Sequence, residues 1–234
     1  MAILLPWYYC LLCSLLFLTI LFLACINLSW NFFIPITFKS QTNEKVVALS
    51  FDDGPAAWTN QILDTLKQYN APAAFFCIGK NIPGNEQTLL RINAEGHLIG
   101  NHSYSHHFWF DMFSSGKMLS DMRQMDNEVT KITGLKPLLF RPPYGVINPN
   151  LTEAIKKGEY TPIGWSIRSF DTTIKDKQKL LSRIITKVKP GDIILLHDSM
   201  EITATILPEL IQQLMSKGYK ISRLDKMLNI NTYA

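Results

Sequence analysis

The chain has 234 residues, a formal net charge of +4 and an apolar fraction of 47%, enough to fill a folded core. This composition excludes a disordered chain, and the mild charge without any block of five basic residues argues against a nucleic-acid partner. The charges are unevenly placed, because residues 1–38 contain no Asp, Glu, Lys or Arg. We therefore divide the chain into an N-terminal membrane segment, residues 1–38, and a second domain, residues 39–234, that carries all of the charged residues.

The first predicted element is a membrane-spanning helix at residues 10–28. Its nineteen residues would form a helix of roughly 29 Å, about the hydrocarbon thickness of a bilayer. A cleaved signal peptide, or a lipoprotein signal ending at Cys25, is the alternative. Lys39 and Lys45 follow the segment, and by the positive-inside rule they would place the domain in the cytoplasm. Aromatic residues flank the segment on both sides, as at membrane interfaces: Trp7, Tyr8, Tyr9, Trp30, Phe32 and Phe33.

Beyond the membrane segment, short apolar runs alternate with longer amphipathic stretches. The runs predict strands at 46–51, 73–78, 98–100, 138–140, 161–165, 192–197 and 219–221. The stretches predict helices at 58–69, 86–94, 117–133, 149–157, 175–187 and 204–216, several of them ending in Gly. This alternation predicts an α/β fold with a mainly parallel sheet, either an open sheet or a nearly closed barrel, covered by helices.

In such folds the chemistry lies beyond the C-terminal ends of the strands. Polar residues follow five of the predicted strands: Asp52, Asp53, His102, His106, Arg141, Asp171 and His197. Two histidines and a carboxylate with open positions are typical of a catalytic metal, with zinc the default and cobalt, nickel or iron also accepted. We expect His97 to be structural and His107 to be an exposed neighbour of His106.

Four motifs, in this order, resemble those of the polysaccharide deacetylases with a NodB-homology domain (carbohydrate esterase family 4). They are Ser50-Phe51-Asp52-Asp53-Gly54-Pro55, His102-Ser103-Tyr104-Ser105-His106, Arg141-Pro142-Pro143-Tyr144-Gly145 and Leu195-Leu196-His197. The resemblance extends over residues 45–228. It implies a deformed (β/α) barrel of about seven strands and a metal-dependent hydrolase that removes acetyl groups from a glycan.

The resemblance also implies a role for each matching residue. Asp53, His102 and His106 would bind a divalent metal, most simply Zn²⁺, with Co²⁺ or Ni²⁺ as alternatives. The other roles are those of a general base (Asp52), the residue that orients it (Arg141), a general acid (His197), its support (Asp171) and an oxyanion donor (the Tyr144 N–H). The residues expected to contact the acetyl group are Leu195, Pro143 and Tyr144.

The fourth motif of the family departs from its usual pattern. Asp171 is retained, but Arg168 stands where an acid is expected, and Thr172 stands where a tryptophan usually lines the groove. The shape of the groove and its stacking on sugars are therefore open at this point.

We expect the protein to remove acetyl groups, most simply N-acetyl groups, from a cell-envelope or extracellular polysaccharide such as peptidoglycan or a chitin-like glycan. A non-catalytic glycan-binding module on the same fold and a small-substrate amidase or esterase are the alternatives. Because acetylated polymers lie mainly outside the cytoplasm, this expectation favours a single-pass anchor with an extracytoplasmic domain. The two lysines after the segment favour the opposite orientation.

Overall fold

The computed structural model describes residues 6–234, so the first five residues of the predicted membrane segment lie outside the described part. Eight strands are present in it: β1 Val46–Asp52, β2 Ala73–Cys77, β3 Leu98–Asn101, β4 Leu139–Phe140, β5 Thr161–Pro162, β6 Ile167–Arg168, β7 Ile193–His197 and β8 Lys220–Ile221. Its helices are α1 Trp7–Ile26, α2 Thr59–Gln68, α3 Glu86–Ala94, α4 Ser115–Thr133, α5 Pro149–Gly158, α6 Lys177–Ile185, α7 Glu201–Ser216 and α8 Leu224–Leu228.

The strands form one sheet in the order β5-β4-β3-β2-β1-β7-β6, and β8 pairs with the start of β1. Every pair of strands is parallel, as predicted. β5 and β6 lie at opposite edges, although only residues 163–166 separate them in the chain. Five Cα–Cα steps span at most roughly 18 Å, so the sheet must curl until its edges approach each other. The sheet is therefore curled into a half-barrel whose edge strands do not pair with each other.

The two faces of β1 show how the barrel is filled. Val47, Leu49 and Phe51 are fully buried and pack against the surrounding helices. Ala48 lies on the other face, in a separate cluster inside the barrel. Since side chains alternate along a strand, the residue two positions after Ala48, Ser50, also points inward, and so does Asp52. The first strand thus carries a polar pair into the barrel at its C-terminal end.

Two short elements and several element bounds differ from the prediction: the strand predicted at 161–165 ends at Pro162, and the helix predicted at 204–216 begins at Glu201. β6 and α8 were missed, because two and five residues are too few for a periodic pattern. Gly158 was expected to be the C-terminal capping residue that follows α5, but it is the last residue of the helix. The capping residue is Glu159, which adopts the left-handed conformation with φ 59°. A Cβ at Gly158 would collide with the ring of Tyr160 and with Leu119, so packing requires this glycine.

The N-terminal helix α1 is continuous over 20 residues, carries no charge and is long and apolar enough to cross a membrane; a signal sequence has the same properties. Most of its side chains are exposed, but its last turn contacts the domain. Ala24 is buried, and the Ile147 N–H donates to the Cys25 carbonyl oxygen at 2.8 Å. Leu28 is buried among residues of α4 and α5. The end of α1 therefore packs directly on the barrel.

Candidate active site

The register of the sheet brings the predicted polar residues to one edge. Asp52 is paired with His197 on the neighbouring strand β7. Asn101 is paired with Phe140, so His102 and Arg141, the next residue in each case, leave adjacent strands at the same level. The resulting cleft has a volume of about 230 Å³. Its walls include Asp52, Asp53, His102, His106, Pro142, Tyr144, Trp165, Arg168, Thr172, Leu195 and His197.

Three of these residues form a candidate metal site. Asp53, His102 and His106 each direct one ligand atom to a common point, and these atoms lie within 4.8 Å of one another. The Asp53 Oδ1 atom is 3.8 Å from His102 Nε2 and 3.6 Å from His106 Nε2. Of the described residues, this is the one group of His, Cys, Asp and Glu with such geometry.

The hydrogen bonding of His102 shows that this site fits a cation. Its Nδ1–H donates to the Arg141 carbonyl oxygen at 2.7 Å, which leaves the Nε2 lone pair facing the cleft. That lone pair faces carboxylate oxygens of both Asp52 and Asp53 at 3.8 Å. Burial lowers the pKa of His102 to about 3 and also lowers the pKa of His106, so both rings are neutral. Acceptor atoms that face one another in this way fit a cation between them.

Asp52, the predicted base, is buried beside a fully buried arginine. The Arg141 guanidinium donates to Asp52 Oδ1 at 2.7 Å and to Ser50 Oγ at 3.0 Å. It also donates to the carbonyl oxygens of Ile163 and Gly164 at 3.3 and 2.9 Å. Burial raises the pKa of Asp52, and the charge and hydrogen bond of Arg141 oppose that rise. Arg141 therefore fixes one carboxylate oxygen and leaves the other free to face the cleft.

The predicted acid, His197, is held by Asp171. Its ring Nδ1 lies 2.7 Å from Asp171 Oδ1, and its backbone N–H donates to Asp171 Oδ2 at 2.7 Å. Thr203, which the sequence did not identify, also donates to Asp171 Oδ2 at 2.6 Å. Burial lowers the pKa of His197, but the hydrogen bond and charge of Asp171 outweigh it and raise this pKa to about 9. The imidazole thus carries a proton at neutral pH.

The loop after β4 places a backbone donor at the cleft. Tyr144 adopts the left-handed conformation with φ 59°, and no backbone acceptor for its N–H is found in the described part of the chain. Its exposed ring packs edge-on against His106 at 4.7 Å between centroids. Leu195 and Pro142 line the cleft, whereas Pro143, the proline expected to contact substrate, is buried and does not.

The departures in the fourth motif both face the cleft, since Arg168 and Thr172 are among its walls. Trp165, which the sequence assigned only to a strand, lines the cleft as well. A Cβ at Gly145 would come within 2.6 Å of the Trp165 ring, so a glycine is required for the ring to lie there. An aromatic ring is therefore present in the wall although position 172 lacks one.

The turn after β1 depends on a second buried carboxyl group. Thr59 Oγ1 donates to Asp198 Oδ2 at 2.6 Å, and the Ala56 N–H donates to Thr59 Oγ1 at 2.8 Å. A Cβ at Gly54 would collide with the Asp198 carboxyl group, which accounts for this glycine. Burial and the charges of Asp53 and Asp52 raise the pKa of Asp198 to about 7. These contacts fix the turn that presents Asp53.

The two histidines outside the site behave as expected. His97 is buried, and its Nδ1 accepts a hydrogen bond from the Ala73 N–H at 3.2 Å. Its ring packs edge-on against Phe75. His107 is exposed beside His106. The first is a structural residue, and the second is a surface neighbour of the site.

Comparison with known proteins identifies the family of this arrangement. The family model described as polysaccharide deacetylase matches residues 39–163. Peptidoglycan-N-acetylmuramic acid deacetylase PdaC of Bacillus subtilis is 36% identical over 186 residues, which are 79% of this chain and 39% of PdaC. A peptidoglycan-N-acetylglucosamine deacetylase of Bacillus cereus is 33% identical over 199 residues, covering 82% of this chain and 92% of that protein.

Among solved structures, the Bc1960 peptidoglycan N-acetylglucosamine deacetylase superposes with a TM-score of 0.80 at 29% identity, covering 85% of this chain and 95% of that one. The matches confirm the family, the deformed barrel and the enzyme class, a hydrolase of carbon–nitrogen bonds in a polysaccharide, that the four motifs predicted. The chain spans about two fifths of the length of PdaC.

Proposed function

Because the chain belongs to the polysaccharide deacetylase family, we propose that it is a metal-dependent deacetylase that removes N-acetyl groups from the amino sugars of peptidoglycan. The relatives named above act, by name, on N-acetylglucosamine or N-acetylmuramic acid in that polymer. One observation carries the proposal: a single cleft holds a base, Asp52, that is paired with Arg141, and a protonated acid, His197. Beside them lies the cluster of Asp53 and two neutral histidines.

Asp53, His102 and His106 would hold the metal ion, most simply Zn²⁺, with Co²⁺ or Ni²⁺ as alternatives. When bound, such an ion polarises the acetyl carbonyl group and lowers the pKa of water. The Nδ1–H bond from His102 to the Arg141 carbonyl oxygen keeps the metal-facing nitrogen unprotonated. The chain therefore supplies one carboxylate and two neutral, oriented histidine rings as ligands.

The remaining steps belong to side chains and backbone of the chain itself. Asp52 accepts the proton of the attacking water through the carboxylate oxygen that Arg141 leaves free. The Tyr144 N–H donates to the carbonyl oxygen as that atom gains negative charge. His197 gives its Nε2 proton to the departing amine, while Asp171 accepts the Nδ1–H and stabilises the imidazolium. Pro142 and Leu195 shape the slot beside these groups.

The domain division and the location follow from the same function. We assign residues 1–38 to a single-pass membrane anchor and residues 39–234 to the catalytic domain, on the extracytoplasmic side where the polymer lies. The uncharged helix α1 supports the anchor. Protease added to intact spheroplasts should digest the domain, and full protection would refute the orientation.

Acetate release tests the activity. The full chain, purified in detergent and supplied with Zn²⁺, should release acetate from peptidoglycan, with an N-acetylglucosamine oligomer as a chitin-like comparison. Asp52→Asn should abolish release. His106→Ala should weaken Zn²⁺ binding measured by calorimetry, while His107→Ala, a matched change at the exposed neighbouring histidine, should not. Zinc bound without acetate release from any acetylated glycan would sink the proposal and favour a glycan-binding module.

A further inference from the structure

A second cavity adjoins the catalytic cleft on the side of the N-terminal helix. Its volume is about 470 Å³, and two of its wall residues, Trp165 and Arg168, also line the cleft. The remaining walls come from the end of α1 and the segment after it, from the start of β6, and from α6 and the segment just beyond it. They include Asn27, Ser29, Arg183 and Lys187. The cavity therefore connects the end of the proposed membrane helix with the place where the acetyl group would be hydrolysed.

The cavity is strongly positive. Arg168, Arg183 and Lys187 line it, and of the described residues around it none is acidic. In the described part of the chain none of these three cations takes part in an ion pair. Such a concentration of uncompensated positive charge in a concave, partly enclosed site attracts anions. Asn27 and Ser29 add polar groups to the same walls.

The two arginines are held close together by the structure. The Arg183 Nε–H donates to the Arg168 carbonyl oxygen at 3.3 Å. Both guanidinium groups lie over the ring of Phe170, at 5.0 Å for Arg168 and 4.3 Å for Arg183. Arginine forks of this kind match the geometry of phosphate oxygens. A phosphate is therefore an anion that this pair fits.

The position of the cavity indicates which kind of molecule would carry the phosphate. α1 exposes apolar side chains along its length and ends at Ile26, one residue before Asn27 in the cavity wall. With α1 in the membrane, as the proposed function holds, the cavity lies at the membrane surface, at the level of lipid phosphates. A phosphate bound here would belong to a molecule anchored in the bilayer.

We propose that this cavity binds the phosphate of a lipid-linked acetamido sugar, whose sugar ring enters the adjoining cleft. Trp165, which borders both spaces, would contact the sugar between them. The substrate would then be a glycan still attached to its membrane lipid by a phosphate or diphosphate. This inference rests on the proposed deacetylase function and adds the substrate class to it.

The test compares two substrates that carry the same acetamido sugar. The full chain is placed in vesicles of zwitterionic lipid and given a polyprenyl-diphosphate-linked N-acetylglucosamine oligomer or the free oligomer. In Arg183→Gln/Lys187→Gln, kcat/KM for the lipid-linked substrate should fall about tenfold, since each exposed ion pair is worth up to about 1 kcal/mol. Turnover of the free oligomer should not change, because neither residue lines the catalytic cleft.

Lys177→Gln/Lys179→Gln is the matched control, because it removes two positive charges from the same helix outside the cavity. It should leave kcat/KM unchanged for both substrates. Equal loss on both substrates, or no loss on the lipid-linked one, would overturn the proposal. Binding of phosphatidylglycerol that depends on Arg183 and Lys187, with unchanged turnover of the lipid-linked substrate, would overturn it in favour of an ordinary phospholipid headgroup.

A separate binding measurement distinguishes this proposal from the one on which it rests. Acetate release from neither of these substrates nor from peptidoglycan would refute the deacetylase function. In that case, binding of the lipid-linked oligomer to wild-type vesicles, compared with Arg183→Gln/Lys187→Gln vesicles, still decides the phosphate site. A roughly tenfold weaker binding in the variant supports the site, and equal binding overturns it.

Discussion

The ion pair between Asp171 and His197 makes a quantitative prediction. The pKa of His197 is raised from an ordinary 6.5 to about 9, although burial alone would lower it. A shift of this size corresponds to about 3 kcal/mol in favour of the imidazolium. At pH 7.5, about 97% of the His197 rings then carry the proton, compared with about 10% at a pKa of 6.5.

Asp171→Asn removes the negative charge and keeps the size of the side chain. We expect the pKa of His197 to fall from about 9 toward its ordinary value, because the effect of burial remains while the charge of Asp171 is lost and only those of Asp52 and Asp53 still favour the imidazolium. Acetate release at pH 7.5 should fall by up to about tenfold, because the protonated fraction of His197 falls from about 97% toward about 10% as its pKa returns to the ordinary value. The alkaline limb of the pH–rate profile should move in the same direction, to lower pH.

Histidine NMR titration measures this directly, since the chain has five histidines and selective labelling resolves each of them. The titration uses metal-free protein, so that a bound cation does not itself repel the imidazolium. Thr203→Val is the graded comparison, because it removes one hydrogen bond to Asp171 and keeps the ion pair. It should lower the pKa by less than Asp171→Asn does. A His197 pKa that stays near 9 in a folded Asp171→Asn protein would refute the argument.

Two further predictions concern buried polar groups. Arg141→Met leaves the Asp52 carboxyl group buried without its partner. It should abolish activity and lower the free energy of unfolding, measured by urea titration, by about 3–5 kcal/mol. An unchanged urea midpoint would contradict this prediction. Burial lowers the pKa of His97 to about 4. As the pH falls, the unfolded chain therefore binds a proton at this histidine before the native protein does. The free energy of unfolding should decrease by up to about 3 kcal/mol between pH 6.5 and pH 4. His97→Asn, which can still accept from the Ala73 N–H, should flatten this part of the pH–stability curve, and an identical slope would count against the assignment.

The sequence by itself determined the family, the parallel α/β architecture and most of the residues in the cleft. These features are local or nearly so. Apolar runs such as 46–51 mark strands, and the motif residues follow the strand ends within a few positions. Because the ends of parallel strands meet at one edge, knowledge of the strands was enough to place Asp52, His102 and His197 together.

The tertiary structure alone decided which distant groups complete the site. Thr203 supports Asp171, and Trp165 supplies the aromatic wall. None of these contacts has a sequence signature, because each joins side chains from different elements and depends on how the barrel curls.

The same reason explains the cavity beside the cleft. Arg168 lies in β6, Arg183 in α6 and Lys187 just beyond α6, and no pattern in the sequence brings these three charges together. The end of α1, which composition alone had separated from the domain, closes the cavity with Asn27 and Ser29. Local patterns determine elements and the motifs next to them, whereas packing between elements decides which charges share a site.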